Sequence, residues 1–425
     1  MGAHVLVTGR DDGYLAPPAS PFCFFRGQKR VAQPFVLDGA FHEAQNALTA
    51  FCHRFRFHTS LSFSLILLPS PPPPVPAPLT QTDSRKERKT AQKMSTLPED
   101  FTVERCTQQE AHEIFYGWAF SEQWNPSTKG EDLRNVYFKA DPQGFFKGQL
   151  KDEVVAIVSG VRYGDDQAWI GFYIASPNHR GKGFGLATFN KALEHVGHDR
   201  ASVGLDGLLV QVENYKKSGF TSIGWMNERR NGAIDDLVDT QERVLAESIS
   251  KNEVAGLVDL SDPLVDLNQL PAIEQRFSGL KRPEFVKDWA DFHSNQHKER
   301  RFGAAVLSTD GTEDEESGKP IVLGYACVRP AVSSYRVGPL YATTPEVAKQ
   351  LLVKLANNVV QAERQESYNI PLKFDVDIPN TNPEAVKLFD GLGWEDTFPS
   401  MRMWKGTVPE HDISGVYAVS SLEVA

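Results

Sequence analysis

The sequence is poor in anything that would crosslink it or hold a metal. Its four cysteines, Cys23, Cys52, Cys106 and Cys327, lie far apart, with no Cys-x-x-Cys pair and no Cys/His cluster. That excludes a disulfide framework, a zinc ribbon and a zinc finger, and no metal is called for. Long apolar runs are missing too. The longest, Leu61 to Leu68, contains two serines and falls far short of the roughly 20 apolar residues that a membrane helix needs. An excess of positive charge is also absent: 45 Lys plus Arg against 55 Asp plus Glu leaves −10, which excludes a whole-chain basic footprint for nucleic acid. These absences predict a soluble cytoplasmic protein with neither membrane nor nucleic-acid partner. What is present suits a globular chain with a core: 40% hydrophobic and 24% charged residues. At roughly 150 residues per domain, 425 residues make two or three domains.

The composition is uneven. Residues 1 to 93 carry 11 Lys/Arg and 6 Asp/Glu, a balance of +5 that leaves −15 for the remainder. This leader has no sustained helical or strand period. It contains a polyproline tract, Pro69 to Pro78, and then the basic run Arg85-Lys86-Glu87-Arg88-Lys89. Polyproline stays extended and solvated and builds no core. Three readings fit: a disordered tail, an organelle transit segment rich in Arg and Ser, or translated upstream sequence with Met94 as the natural start. All three predict no fold in residues 1–95.

Regular patterning begins near Phe101. Val154 to Tyr163 and Gln167 to Ala175 are apolar, β-branched and aromatic, and the turn Gly164-Asp165-Asp166 between them predicts a hairpin. A glycine-rich stretch follows, His179-Arg180-Gly181-Lys182-Gly183-Phe184-Gly185. Leu186, Phe189, Leu193 and Val196 then recur at helical spacing. Ser202 to Leu209 reads as a strand, and Val212 to Ser218 as a short helix stopped by Gly219. The second half replays this order. Ile321 to Arg329 and Ser333 to Ala342 are strands, Thr344-Pro345-Glu346 starts a helix with Val347, Leu351, Leu355 and Val359 in phase, and Leu372 to Ile378 is a strand. Glu384 to Leu392 is a short helix ended by Gly393-Trp394. Two copies of one α/β unit, separated by a charged segment around Glu228 to Lys251, account for this pattern.

The loop between the hairpin and the helix carries the chemistry. Glycines at 181, 183 and 185 let the backbone turn tightly, with no Cβ in the way of an approaching group. The following helix aims its unpaired N–H groups and its positive dipole end into the loop, and Arg180 and Lys182 add formal charge. The geometry suits a pyrophosphate, although a glycine-rich turn by itself is also what a tight connection looks like. A Walker loop would end in Gly-Lys-Ser/Thr, but Gly185 is followed by Leu186 and Ala187. A dinucleotide fingerprint would follow the first strand of a parallel βαβ unit, whereas here the loop follows a hairpin.

Ile174 to Leu186 (IASPNHRGKGFGL) resembles the acetyl-CoA-binding motif of the GNAT acyltransferases, Gln/Arg-x-x-Gly-x-Gly/Ala, with Arg180, Gly183 and Gly185 at its defined positions. Asn214 to Phe220 (NYKKSGF) is similar to that family's later Tyr-x-x-x-Gly-Phe motif. Trp124-Asn125-Pro126 and Asp141 to Phe146 resemble a bacterial-type branch with a second GNAT-like domain. The resemblance implies an α/β fold: two tandem units, each a twisted, mostly antiparallel mixed sheet flanked by helices and splayed after the strand that feeds the loop. It implies a catalytic domain over 96–240, a degenerate domain over 250–408 and a tail over 409–425. It further implies acetyl-CoA as cosubstrate, with Ile174, Arg180, Gly181, Lys182, Gly183, Phe184 and Gly185 holding it, and direct acetyl transfer to an amine of a small molecule or protein.

A lysine-like amine must first lose a proton against about 3.4 pKa units at pH 7, roughly 4.6 kcal/mol, and the departing thiolate must gain one. Tyr215 holds the family's proton-donating position; packing is its other reading. Asp206 is the first candidate base, ahead of Glu122 and His179. The charge of −15 on the patterned part favours a cationic acceptor. In the second copy Ala342-Thr343-Thr344-Pro345-Glu346 offers no glycine, Pro345 lacks an amide hydrogen, Glu346 repels an anion, and Phe389 stands at the Tyr position. That copy should not bind a diphosphate. The leader reading has a direct check: deleting residues 1 to 93 should leave the melting temperature and ligand binding unchanged, and a large drop in either would mean the leader packs on the fold.

Overall fold

The computed structural model describes residues 97–239, 245, 248–249, 251, 254–294, 297–365 and 370–425. The leader reading lies outside these residues. In the first copy β1 (Phe101–Arg105), β2 (Phe145–Leu150), β3 (Glu153–Tyr163) and β4 (Gln167–Ala175) form an antiparallel meander. Helix α1 (Phe184–Val196) crosses over to β5 (Ser202–Leu208), which runs parallel to β4; α2 (Val212–Lys217) and β6 (Ser222–Ala233) follow. The hairpin turns at Gly164 (φ 55°), as its turn signal requires. In α1 the residues buried against the sheet are Phe184, Phe189, Ala192, Leu193 and Val196, and the helix ends at left-handed Gly197. Leu186, which fits the same helical period, instead faces out and is 53% exposed.

The second copy repeats the plan. It comprises β7 (Leu257–Asp259), α3 (Leu270–Ser278), α4 (Pro283–His293), β8 (Phe302–Leu307), β9 (Val322–Pro330) and β10 (Tyr335–Ala342). Then come α5 (Pro345–Gln365), β11 (Lys373–Pro379), α6 (Pro383–Gly391) and β12 (Glu395–Gly406). All the strands belong to one sheet, in the order β1-β2-β3-β4-β5-β12-β6-β11-β10-β9-β8-β7. The sequence is its own mirror under exchange of the copies. Each copy sends its last strand across: β12 pairs with β5, β6 pairs with β11, and the two exchanged strands pair with each other. The charged segment beginning at Glu228 is therefore not simply a separator, because Glu228, Arg229 and Arg230 lie in β6 at the centre of the sheet.

The exchange is clasped by two buried ion pairs at matching places. Asp206 on β5 lies opposite Arg402 on β12, which donates Nε at 3.0 Å and Nη2 at 2.6 Å. Asp377 on β11 lies opposite Arg229 on β6, which donates Nε at 2.8 Å and Nη2 at 2.9 Å. Arg402 sits between the rings of Trp169 and Trp225, 4.7 Å from each, as a desolvated guanidinium favours.

The chain end, the tail over 409–425, packs as a strap. β13 (Val416–Ala418) pairs antiparallel with β10, and Val419 N donates to Asp377 O at 3.0 Å, so these residues fill the gap where β10 and β11 diverge. The strap then crosses to the first copy. Trp169 Nε1 donates to Leu422 O, and Tyr163 Oη to Val424 O at 2.6 Å. Two equivalent glycines admit it: a Cβ at Gly338 would meet the carbonyls of Val419 and Ser420, and one at Gly171 would overlap the Glu423 carbonyl.

Breaking one clasp strands a buried charge. Arg402→Met should cost about 3–5 kcal/mol in urea unfolding, and the double variant Asp206→Asn/Arg402→Met should recover most of that loss. A single variant as stable as the parent would mean the pair does not hold the exchange.

Candidate active site

β4 ends at Ala175, and the chain reaches α1 through a 3-10 turn (Pro177–His179) and the glycine loop. Gly181 (φ 76°) and Gly183 (φ 90°) take left-handed conformations, and Gly183 is the N-cap of α1 with no side-chain cap. The amides of the first turn therefore have no intrahelical partner. Where side chains would stand at 181 and 183 the space is open, apart from Leu97 Cδ2 at 3.5 Å from the latter. Gly185 is there for another reason: a Cβ would press on Tyr173 Oη at 2.9 Å and Ala175 Cβ at 3.3 Å, so it lets α1 lie close on β4. The loop is open, and its free amides are chemically able to take an anion.

Behind it lies a cleft of about 710 Å³. It exists because β4 and β5 pair only from Gln167↔Ser202 to Ile170↔Leu205 and then separate. At the parting point β4 bulges, with Phe172 and Tyr173 opposing the single residue Val158 of β3 between the Gly171 and Ile174 pairs. Phe172 takes φ 48° there, a left-handed strain that turns the bulge's backbone groups out of the ladder. Ile174, Arg180, Gly181, Gly183 and Gly185 line the cleft. Phe184 packs into the core, its ring 4.9 Å from Phe101, and the Lys182 side chain is exposed outside the lining.

Tyr215 reaches the cleft from α2, its ring 6.3 Å from Tyr173 and 6.1 Å from Phe189. Burial pushes its phenol well above the ordinary value, so the hydroxyl keeps its proton at neutral pH. Asp206 also lines the cleft, but it accepts from Arg402 twice and from Asn227 Nδ2 at 2.8 Å. Burial pushes its carboxyl up, and Arg402 opposes that. Glu122 lies at the loop end, 2.5 Å from Arg180 Nη2, and Arg180 Nε donates to Ala175 O at 2.9 Å. His179 packs on Phe184 and lies 3.6 Å from Glu153.

The far end of the cleft is built with help from the second copy, through residues that no local sequence pattern marks. Trp124 sits between Gln123 (φ 61°) and Asn125 (φ 54°), two left-handed non-glycine residues. Such strain persists only where the surroundings over-determine it, and here they do. Asn125 Oδ1 accepts from Ser333 N at 2.9 Å, and its Nδ2 donates to Ser334 Oγ at 2.7 Å and Asp375 Oδ2 at 2.6 Å. Phe398 and Ser400 come from the exchanged strand β12, and Leu422 and Glu423 from the strap. Arg229 lies over Phe398 at 5.1 Å and donates Nη1 to Trp124 O at 3.1 Å.

The corresponding place in the second copy is closed. Thr344 accepts from Val347 N at 3.3 Å, Pro345 and Glu346 open α5, and Phe389 is fully buried against Trp394. The opening that the splay would leave is occupied by β13.

Residues 108–220 match the acetyltransferase (GNAT) family, and residues 272–418 match a second family description, the acetyltransferase (GNAT) domain. Holothin acyltransferase of Pseudoalteromonas sp. (strain SANK 73390) is 30% identical over 315 residues, 74% of this chain and 92% of its own length. An uncharacterized Caenorhabditis elegans protein is 22% identical over 191 residues, 43% of this chain and 53% of that one. The fold resembles that of a putative acetyltransferase from Pyrococcus horikoshii, with TM-score 0.56, 18% identity, 78% of this chain and 98% of that one covered. With two family matches in order, a mirrored pair of folds, and a curated acyltransferase similar over most of its length, the chain belongs to the GNAT acyltransferase family, in tandem form.

Proposed function

We propose that the chain transfers an acetyl group from acetyl-CoA to an amine, in the cleft of the first copy. The observation that carries this reading is the uncapped N-terminus of α1, with its left-handed glycines, opening onto a cleft that ends at a protonated tyrosine. The residues fit a nucleotide thioester. Amides from Gly181 to Gly185 would hold the diphosphate, Arg180 would stand beside it while keeping its pair with Glu122, and Ile174 and the split strands would flank the pantetheine arm. Acyl-CoA supplies the activated carbonyl carbon when bound. The amine nitrogen forms a bond to that carbon, the C–S bond breaks, and the Tyr215 hydroxyl gives its proton to the leaving sulfur. The proton shed by the acylated nitrogen then restores the tyrosine. The similarity to a protein named as a holothin acyltransferase supports a small-molecule acceptor.

Asp206 we assign to the clasp and not to proton transfer. Taking a proton would leave Arg402 buried beside a neutral partner, and the same acid recurs as Asp377 in the copy whose anion site is closed. The double variant Asp206→Asn/Arg402→Met should therefore keep its rate as well as its stability.

Two further outcomes test the assignment. Titration calorimetry should give one CoA site per chain, and Gly183→Asp should abolish binding by placing bulk and charge in the cradle; two sites, or undiminished affinity, would overturn it. Tyr215→Phe keeps the ring and should barely alter stability or CoA affinity. Its kcat should fall by about 10²- to 10⁴-fold where chemistry limits the rate. A wild-type kcat would leave Tyr215 as a packing residue.

A further inference from the structure

The cleft is lined by three carboxylates, and each already has its charge answered. Glu122 faces Arg180 at 2.5 Å, and Asp206 is gripped by both Arg402 nitrogens. Glu423 accepts from Arg336 Nη1 at 2.9 Å and from Ser421 Oγ at 2.6 Å. Burial would raise the Glu423 carboxyl, but Arg336 overrides it and holds the group at about 2. The basic groups in the lining are His179, Arg180, Lys217 and Arg229, and its phenols are Tyr173 and Tyr215. Arg229 is committed to Asp377, Lys217 Nζ donates to Asn214 Oδ1 at 3.3 Å on its own helix, and His179 packs on Phe184 beside the glycine loop. Among the described lining residues, none at the far end is an unpaired anion that would attract an alkylammonium, and none is a free base that would deprotonate one. What the far end does offer is flat and apolar: Trp124, Phe172, Phe398 and Leu422.

We infer that the acceptor is a weakly basic planar amine, an arylamine or heteroaryl amine already neutral at pH 7, seated against Trp124, Phe172, Phe398 and the strap residue Leu422. This rests on the acyl-CoA reading of the cleft. It removes the need for a dedicated base, because the free amine attacks directly and the only proton the protein must supply is that of Tyr215. It also makes the strap part of the acceptor site, so the second copy selects the acceptor without binding acyl-CoA.

The test uses the full chain, acetyl-CoA, and two amines of similar size, 4-methoxyaniline and 4-methoxybenzylamine, with spermidine as a polycation. CoA release gives rates, and calorimetry gives acetyl-CoA affinity alongside. With 4-methoxyaniline kcat/KM should be flat from about pH 6 to 9 and exceed that of the benzylamine at pH 7 by about tenfold or more. The benzylamine rate should climb about tenfold per pH unit, because only its free base reacts. Trp124→Ala and Leu422→Ala should raise KM for 4-methoxyaniline by about tenfold and leave acetyl-CoA affinity unchanged. Preference for spermidine or the benzylamine at pH 7 would overturn the acceptor class. So would a benzylamine reaction abolished by Glu122→Gln, which would reveal Glu122 as a base freed when Arg180 turns to a phosphate. Acetyl-CoA binding with neither methoxy amine acetylated would overturn it as well. Failure of acetyl-CoA to bind would overturn the cleft reading itself, and this inference with it.

Discussion

Two carboxylate–guanidinium pairs, Asp206 with Arg402 and Asp377 with Arg229, fix the register on which the rest of the molecule depends. Side chains alternate faces along a strand, so a slip of one residue in β12 would swing Arg402 to the opposite face. Asp206 would then be left with no cation at a position whose side chain has no exposed surface. An uncompensated buried charge costs far more than the pair gains by forming, so the clasp selects one register more than it adds stability. With that register set, Phe398 and Ser400 fall at the first copy's cleft. Arg229 falls beside Trp124, and the two half-sheets become one.

The elements governed by local pattern were legible in the sequence. The β3–β4 hairpin, α1, β5, α2 and their counterparts from β9 to α6 follow from period, turn residues and caps. The α5 stripe of Val347, Leu351, Leu355 and Val359 is buried throughout. The exchanged strands were not legible, because β6 reads as charged linker. Its Arg229 and Arg230 become intelligible only beside partners about 150 residues away: Asp377 takes Arg229, and Asp390 joins the neighbouring Glu228 in taking Arg230. The glycine loop and the Tyr215 string, which the structure brings to one cleft, were readable for the same local reason. Arg229, Phe398, Leu422 and Glu423 were not, since nothing in their own neighbourhoods says which cleft they reach. One signal was available. Leu205-Asp206 and Val376-Asp377 recur at matching points of the repeat, and an acid shared by an open copy and a closed one points to architecture before catalysis.

Duplication supplied two identical problems, and the copies solved them differently. A splayed sheet leaves a gap that something must fill. In the first copy the gap stays open beneath a glycine loop. In the second, the strap's β13 fills it with backbone hydrogen bonds, and Pro345, Glu346 and Phe389 stand where the first copy has its glycine loop and Tyr215. The second copy instead holds parts of the first. Ser333, Ser334 and Asp375 keep the strained Trp124 loop in place, Asp377 fixes Arg229, and Arg336 fixes Glu423. Among the described residues, the mirrored pair of folds thereby acquires an asymmetric cleft with walls from both halves.

The chain's overall charge is a poor guide to that cleft. A balance of −10 argues for attraction of cations to the molecule as a whole, yet the field inside a site is set by what lies within a few ångströms of it in a low dielectric. Glu122, Asp206 and Glu423 each stand within 3 Å of a guanidinium nitrogen. Seen from the cleft, each carboxylate is half of a dipole and no longer a free charge. Aromatic walls around paired charges favour a ligand that is flat and neutral, because such a ligand loses little hydration on entry and disturbs none of the pairs. One of the pairs that hold the fold in register, Asp206 with Arg402, therefore also enters the polarity of the cleft: losing the cation alone would cost stability and leave a bare carboxylate in the lining, whereas neutralising both partners would do neither.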